Sequence, residues 1–499
     1  EMTSSLVGSE MCIRDSGYTY SVIAEDKDCN RVGTRLASTA YTFGSSSRSF
    51  DYTYDAAGNI QTVTTGGTNV PAAAASKTYT YDAQGQLATE TNGGASRAYA
   101  YDTVGNIRSV TTDGAVIKSF GYTNPSWPDL LTSVTVGGTT KDILYEGQTQ
   151  TSGIPSSGNP VTYYNGKDYS FTWTKGRQLA SATVDGKQVS YTYDMSGVRS
   201  GKQVYTTSNQ RTTTYTYTTL SGKVMRQQWE TRNSDDTVYQ AMQSLEFVYD
   251  DGNQPFAMIY KHGQTTELYY YVLNAQGDVI ALLNANGTLA ASYNYGAWGN
   301  YSVHGADGKK TTDATFIGHI NPLRYRGYYY DRETRLYYLQ SRYYDFANCR
   351  FINADTFATT DANGFLSANM FAYCENNPVN NSDPDGYFAA ALAGGGCLTG
   401  ILATGCSNIW NPVGWILVGV ALCVSIIVVA YAVKTDIYAS QKYNPDPYAR
   451  PNQKKQGREN KGKNRRKDNY TPRNNKRNNK PARPKKHTPA RDHRRPGRR

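Results

Sequence analysis

The sequence predicts a mainly β protein built from short antiparallel hairpins, and three observations carry that expectation. Tyrosine outnumbers phenylalanine 43 to 13, with abundant Thr, Ser and Gly and only 18 Pro among 499 residues. Such side chains suit a pleated, half-solvated surface better than a Leu-rich helical interior. A unit of the form Tyr-x-Tyr-Asp-x-x-Gly recurs upstream of residue 301, and residues 321–357 then hold the densest run of aromatic and arginine side chains in the chain.

Taken in order, residues 1–16 (EMTSSLVGSEMCIRDS) share nothing with the repeats and lack the basic and apolar regions of a signal peptide. They read as a non-native or unstructured leader, similar to adapter-derived sequence, so the native N-terminus and any export signal are expected to lie elsewhere.

Residues 17–320 carry the repeats. YTYDAAGNI (Tyr52 to Ile60), YTYDAQGQL (Tyr79 to Leu87), YAYDTVGNI (Tyr99 to Ile107) and YTYDMSGVR (Tyr191 to Arg199) are the clearest, the first three spaced 27 and 20 residues apart. That is the range of stacked-repeat architectures. Each unit reads as a hairpin in which alternate Tyr rings share a face, Asp accepts turn N–H groups and Gly supplies a left-handed residue. One hairpin cannot bury its own face, so neighbours must join into a continuous sheet. VTYYNGKDYSFTWTKGRQLAS adds a looser hairpin around Trp173, and Leu268 to Asn300 forms a hairpin series with Gly277, Gly287, Gly296 and Gly299 at its turns.

Residues 321–387 form the segment around which the rest is organised. Tyr325, Tyr328, Tyr330, Tyr337, Tyr338, Tyr343 and Tyr344 alternate with Arg324, Arg326, Arg332, Arg335 and Arg342, a composition in which rings pack and guanidinium groups stack on them or pair. The run NPLRYRGYYYDRETRLYYLQSRYYD followed by CRFINAD closely resembles the core motif of RHS-repeat (YD-repeat) proteins, large secreted or surface shells of the polymorphic toxin type. The resemblance extends over roughly Gly17 to Tyr387 and implies that the hairpins wind into a spiral, cocoon-like sheet around a cavity. At Arg335 the family usually carries Gly in a tight turn, a position that calls for positive φ. NNPVNNSDPDGY then supplies the turn sequences that end the fold.

From Phe388 the character changes. Residues 388–434 are apolar, with an uncharged stretch from Gly414 to Val433, Trp415 and Tyr431 at its ends and Lys434 beyond. As a helix it would span about 30 Å of hydrocarbon. It is expected to insert in a membrane, with a helix buried inside the shell as the alternative; Phe388 to Ile409 is a candidate first limb of a helical hairpin. Residues 435–499 form a basic tail, in which 22 Lys and Arg against 4 Asp and Glu from Gln441 onward give about +18. The net +11 of the chain therefore belongs to this tail. It is almost free of aliphatics and is expected to be disordered.

Two sets of residues are candidates for chemistry. Asp355 and either Asp383 or Asp385 fall where the resemblance places the two aspartates of a self-cleaving aspartyl protease. Two adjacent carboxyl groups cannot both ionise, so one is protonated while the other activates water. Cleavage would follow Tyr387 and release everything from Phe388. Here Thr follows Asp355 where that motif has Pro, the two aspartates are further apart, and Tyr387 stands for Leu; as turn formers, the same aspartates need no catalytic role. In the tail, His487 and His493 are candidates for an acid/base pair among phosphate-binding arginines, set against the reading of a merely solvated basic tail.

Seven scattered cysteines without CxxC spacing argue against both a zinc site and a disulfide framework, and no phosphate loop or nucleotide fingerprint is present, so no cofactor or metal is expected. The first functional reading is the shell fragment of a bacterial secreted or surface toxin system, membrane-associated through the apolar segment. Its expected partners are a membrane, anionic lipid or nucleic acid bound by the tail, and an immunity protein. The second reading is a wall-associated adhesin whose Tyr rings bind carbohydrate.

Overall fold

A computed structural model describes residues 15–22, 34–43, 46–67, 76–149, 153–355, 369–387 and 389–391, all within the first of two compact units, Glu1–Ser407. The leader's first fourteen residues, the Gly414 to Val433 stretch and the whole basic tail lie outside the described residues. Eleven strands from Asp15–Val22 to Thr139–Asp142 form one sheet in sequence order, and thirteen from Thr162–Tyr164 to Tyr301–Gly305 form a second. Every neighbouring pair is antiparallel, as expected for hairpins joined end to end.

The repeats thus divide between two sheets. The intervening stretch holds Gly147, Gly153, Pro155, Gly158 and Pro160, and residues with free φ or no N–H donor do not sustain a ladder. A single bridge, Tyr145 to Pro160, spans the gap.

The turn chemistry follows the sequence. In the unit at Tyr79, Asp82 Oδ1 accepts the N–H groups of Gln84 and Gln86 at 2.9 Å, while Gly85 takes φ 80°. Asp102 with Gly105 and Asp194 with Gly197 repeat the arrangement. A feature not readable from one unit alone joins each to an earlier one. The second Tyr of the motif donates its hydroxyl to the carbonyl of an aliphatic residue at or next to the start of a preceding strand: Tyr81 to Ile60, Tyr101 to Leu87, Tyr193 to Leu179 and Tyr295 to Val279, at 2.7–2.9 Å. A register shift sits beside this Tyr in each YDxxG unit, which turns the ring down towards that carbonyl.

The segment 321–387 provides a third sheet, with strands Tyr329–Asp331, Leu336–Leu339, Arg342–Asp345 and Arg350–Phe351, all of them buried. It sits between the two large sheets. Tyr325, Tyr337 and Tyr344 donate to three successive carbonyls, Ala297, Gly299 and Trp298 respectively, in the turn after strand Leu289–Tyr295. Glu90 of the first sheet accepts the Ala297 N–H at 2.7 Å, and Lys77 reaches Tyr295 O, so both sheets meet on this turn. Arg335 has φ 59°, in the left-handed region. Its exposed side chain gains only an ion pair with Asp185 at 3.1 Å. Arg335→Gly is therefore expected to stabilise the protein by about 1 kcal/mol, because relief of the left-handed strain outweighs an exposed ion pair; urea unfolding with an unchanged m-value would register it as a higher midpoint.

Candidate catalytic site around Arg342

Arg342 opens a buried strand, so its guanidinium cannot reach water and must be satisfied internally. It lies 3.6 Å from the Phe351 ring centroid and binds four acceptors from three segments. Nη2 is 3.0 Å from Asp355 Oδ2 and 3.2 Å from Asp383 Oδ2, Nε donates to the Gly386 carbonyl, and Nη1 reaches Met370 O at 3.3 Å. Burial lowers the affinity of Arg342 for its proton, and the two carboxylates offset this only in part.

The aspartates are positioned by backbone ties. The Asp355 N–H donates to Met370 O at 2.9 Å, while the Asp383 N–H donates to the Tyr328 hydroxyl at 2.9 Å and its Oδ1 accepts the Gly386 N–H at 2.8 Å. Their side chains are only 11% and 2% exposed. Asp385 is turned away: it is exposed, its carboxylate accepts the Tyr387 N–H, and its carbonyl takes the Ser341 hydroxyl at 2.8 Å. Of the three aspartates singled out in the sequence, Asp355 and Asp383 come together. Arg342 was missed; the signal available was an arginine beside two tyrosines in a strand of the core segment.

Gly386 closes the site. Its φ is 78°, and a Cβ there would lie 2.6 Å from Ser341 Oγ and 2.8 Å from Leu339 O. Only glycine lets the chain pass this close to the arginine. Arg177, with Nη2 3.4 Å from Ala354 O, adds positive potential near Asp355, and its Nε and Nη1 have no hydrogen-bond partner among the described residues. His487 and His493 lie outside the described residues, as does the segment after Asp355 to residue 368.

A second buried ionic cluster has a different character. Asp331, fully buried, bridges Arg199 and Lys202 of the second sheet, and Lys202 also pairs with Glu333 at 2.7 Å. The Arg199 guanidinium is ringed by Tyr191, Tyr217, Tyr329 and Tyr338 at 4.3–5.4 Å. Burial opposes the charge on Glu333, but Lys202 prevails and holds its pKa down to about 2. A carboxyl depressed on folding contributes stability that is complete above its unfolded value of 4.5 and is lost as pH falls towards 2. Acid titration of the unfolding midpoint is expected to show that loss in this window, and Glu333→Gln is expected to flatten it.

Among the described residues no group of three His, Cys, Asp or Glu is placed to hold a metal, and no helix is long and apolar enough to cross a membrane. Cys349 and Cys374 are buried free thiols that burial makes harder to ionise.

In-order antiparallel hairpins tied by Tyr hydroxyls, with a Tyr- and Arg-rich segment seated between two sheets, define a YD-type β-shell. The chain belongs to the Teneurin YD-shell family, whose model matches residues 9–379. Over 252 residues it is 32% identical to the tRNA3(Ser)-specific nuclease WapA of Bacillus spizizenii, covering 50% of this chain and 10% of that protein. Over 231 residues it is 33% identical to the tRNA nuclease WapA of Bacillus subtilis, covering 46% and 9%. The match thus spans about a tenth of these relatives' length. The TcdB2-TccC3-TEV crystal structure shares the fold, with a TM-score of 0.51 at 20% identity, over 74% of this chain and 18% of that one.

Proposed function

We propose that this protein is the shell portion of a secreted or cell-surface bacterial toxin system, that it cleaves its own chain after Tyr387, and that the region from Phe388 is the released payload. The observation that carries the reading is the gathering of Asp355, Asp383 and the Gly386 carbonyl on one arginine. Arg342 Nε and Asp383 Oδ1 pin Gly386 one residue before the bond to be cut. One aspartate would take the proton of an attacking water, and the other would protonate the departing amine. This division of labour requires one carboxyl of the pair to carry a proton while the other is ionised.

Downstream, the Gly414 to Val433 stretch is proposed to insert in the target membrane, with Phe388 to Ile409 as a first limb. Lys434, Lys442, Arg450, Lys454 and Lys455 would hold the tail on the cytoplasmic side. The tail, with its surplus of Lys and Arg, is proposed to bind nucleic acid, with anionic lipid as a competing ligand; His487 and His493 would act as acid and base. The relatives named as tRNA nucleases match about half of this chain, which agrees with a nuclease cargo. An immunity partner in the producing cell follows from such a cargo. The adhesin reading loses its basis, because the repeat tyrosines it needs at the surface, such as Tyr52, Tyr79, Tyr99 and Tyr191, are buried.

Inducible cytoplasmic expression of residues 443–499, with and without 388–434, tests the payload. Growth arrest is expected; unchanged growth with both would remove the toxin reading. Alkaline extraction of membranes from cells making residues 388–499 tests insertion, which fails if the protein leaves with the supernatant.

A further inference from the structure

Lys118 belongs to strand Ala115–Gly121 of the first sheet, yet its side chain ends in a buried site far along the chain that the cleavage chemistry does not use. Its Nζ lies 2.9 Å from Asn348 Oδ1, 2.7 Å from Ala347 O and 3.1 Å from Asn165 O. Asn348 Nδ2 donates to the Tyr163 hydroxyl and to Tyr164 O, each at 2.9 Å. The Tyr163 hydroxyl in turn donates to Asp345 Oδ2 at 2.9 Å, and Asn165 Nδ2 donates to the same oxygen at 3.0 Å. Lys118, Tyr163, Asp345 and Asn348 are all buried, and the rings of Tyr169 and Phe171 close over Tyr163.

Four features meet here: a buried amine, the side-chain amide it touches, a buried carboxyl group, and a hydroxyl linking that carboxyl to the amide nitrogen. Burial disfavours the charged form of both Lys118 and Asp345, and their mutual attraction only partly offsets this. Transfer of one proton from ammonium to carboxylate leaves an uncharged amine nucleophile beside an amide, with a carboxylic acid in reach through Tyr163.

We propose that Lys118 and Asn348 join in an intramolecular isopeptide bond that fastens the first sheet to the Tyr- and Arg-rich core segment. Lys118 Nζ attacks Asn348 Cγ, the Nζ–Cγ bond forms, and the Cγ–Nδ2 bond breaks. Two protons leave Nζ: the first, taken up by Asp345, is relayed by the Tyr163 hydroxyl to Nδ2, which departs as ammonia, and the second, lost as the attacking nitrogen becomes an amide, ends on Asp345. No oxidant or co-reactant is consumed. The bond would close a loop between residues 230 apart in sequence, restricting the unfolded chain as any long cross-link does.

The test is the mass of the denatured full chain and its tryptic map. The intact mass is expected to fall short of the sequence mass by one ammonia, with a branched peptide joining the Lys118 and Asn348 segments. Asp345→Asn and Lys118→Arg are each expected to restore the lost ammonia and to yield only linear peptides. Recovery of Lys118 and Asn348 on separate linear peptides from the wild type overturns the proposal whatever the variants do, and leaves Lys118 as an ammonium held by three oxygens. Ammonia loss without the branched peptide overturns it equally. Both residues precede Tyr387, so self-cleavage, read from where the larger fragment ends, is scored separately from the cross-link.

Discussion

Asp331→Ala is expected to destabilise the shell by at least about 3–5 kcal/mol, the usual cost of breaking a buried ion pair by removing one partner. The substitution takes the carboxylate from Arg199 and leaves Lys202 with Glu333 alone. Arg199 is 1% exposed and Lys202 3%, and among the described residues Asp331 is the only carboxylate within ion-pair distance of Arg199. The four tyrosine rings around Arg199 are attractive to a cation but cannot replace a carboxylate. Asp168→Ala provides the contrast: its pair with Lys141 is as short, at 2.6 Å, but both side chains are largely exposed. That change is expected to cost under about 1 kcal/mol. Urea unfolding of the three proteins measures both effects. A similar small cost at the two sites would mean that the core segment is not held to the second sheet by this cluster.

Asp383→Asn and Asp355→Asn are each expected to slow self-cleavage by about 100- to 10,000-fold, the range by which a positioned acid or base contributes. Both keep the shape of the side chain, and an amide can still accept from Arg342 Nη2, so the fold should persist. Asp385→Asn is expected to leave the rate unchanged, since its carboxylate is exposed and caps only the Tyr387 N–H. Cleavage rates from a gel time course after synthesis distinguish the three. Loss of cleavage with Asp385→Asn alone would assign the chemistry to the other member of the Asp-Pro-Asp turn.

Much of the fold was legible because the repeats state their own turn chemistry. Asp82 with Gly85 and Asp102 with Gly105 act as the YDxxG spacing requires, and the hairpins around Trp173 and Gly287 fall where the pattern places them. What a single unit cannot express is its neighbour. The hydroxyl of Tyr101 on Leu87 O and the division into two sheets at 143–161 depend on how successive units stack. At the candidate site the sequence supplied Asp355 and Asp383 but gave no reason to prefer Asp383 over Asp385. That choice follows from the turn at Gly386, which aims one carboxylate inward and the other to solvent. Arg342 stayed hidden because its role depends on three segments brought together by the fold, and Lys118 because its partners lie about 230 residues away.

The most direct test of self-cleavage is the intact mass of the products from the full-length chain after expression and purification under denaturing conditions. Two species are expected, one ending at Tyr387 and one beginning at Phe388, with only the full-length species from Asp383→Asn. A wild-type chain recovered intact after prolonged incubation in its folded state, or cut at the same bond when Asp383 is replaced, would contradict an aspartate-driven release at this site.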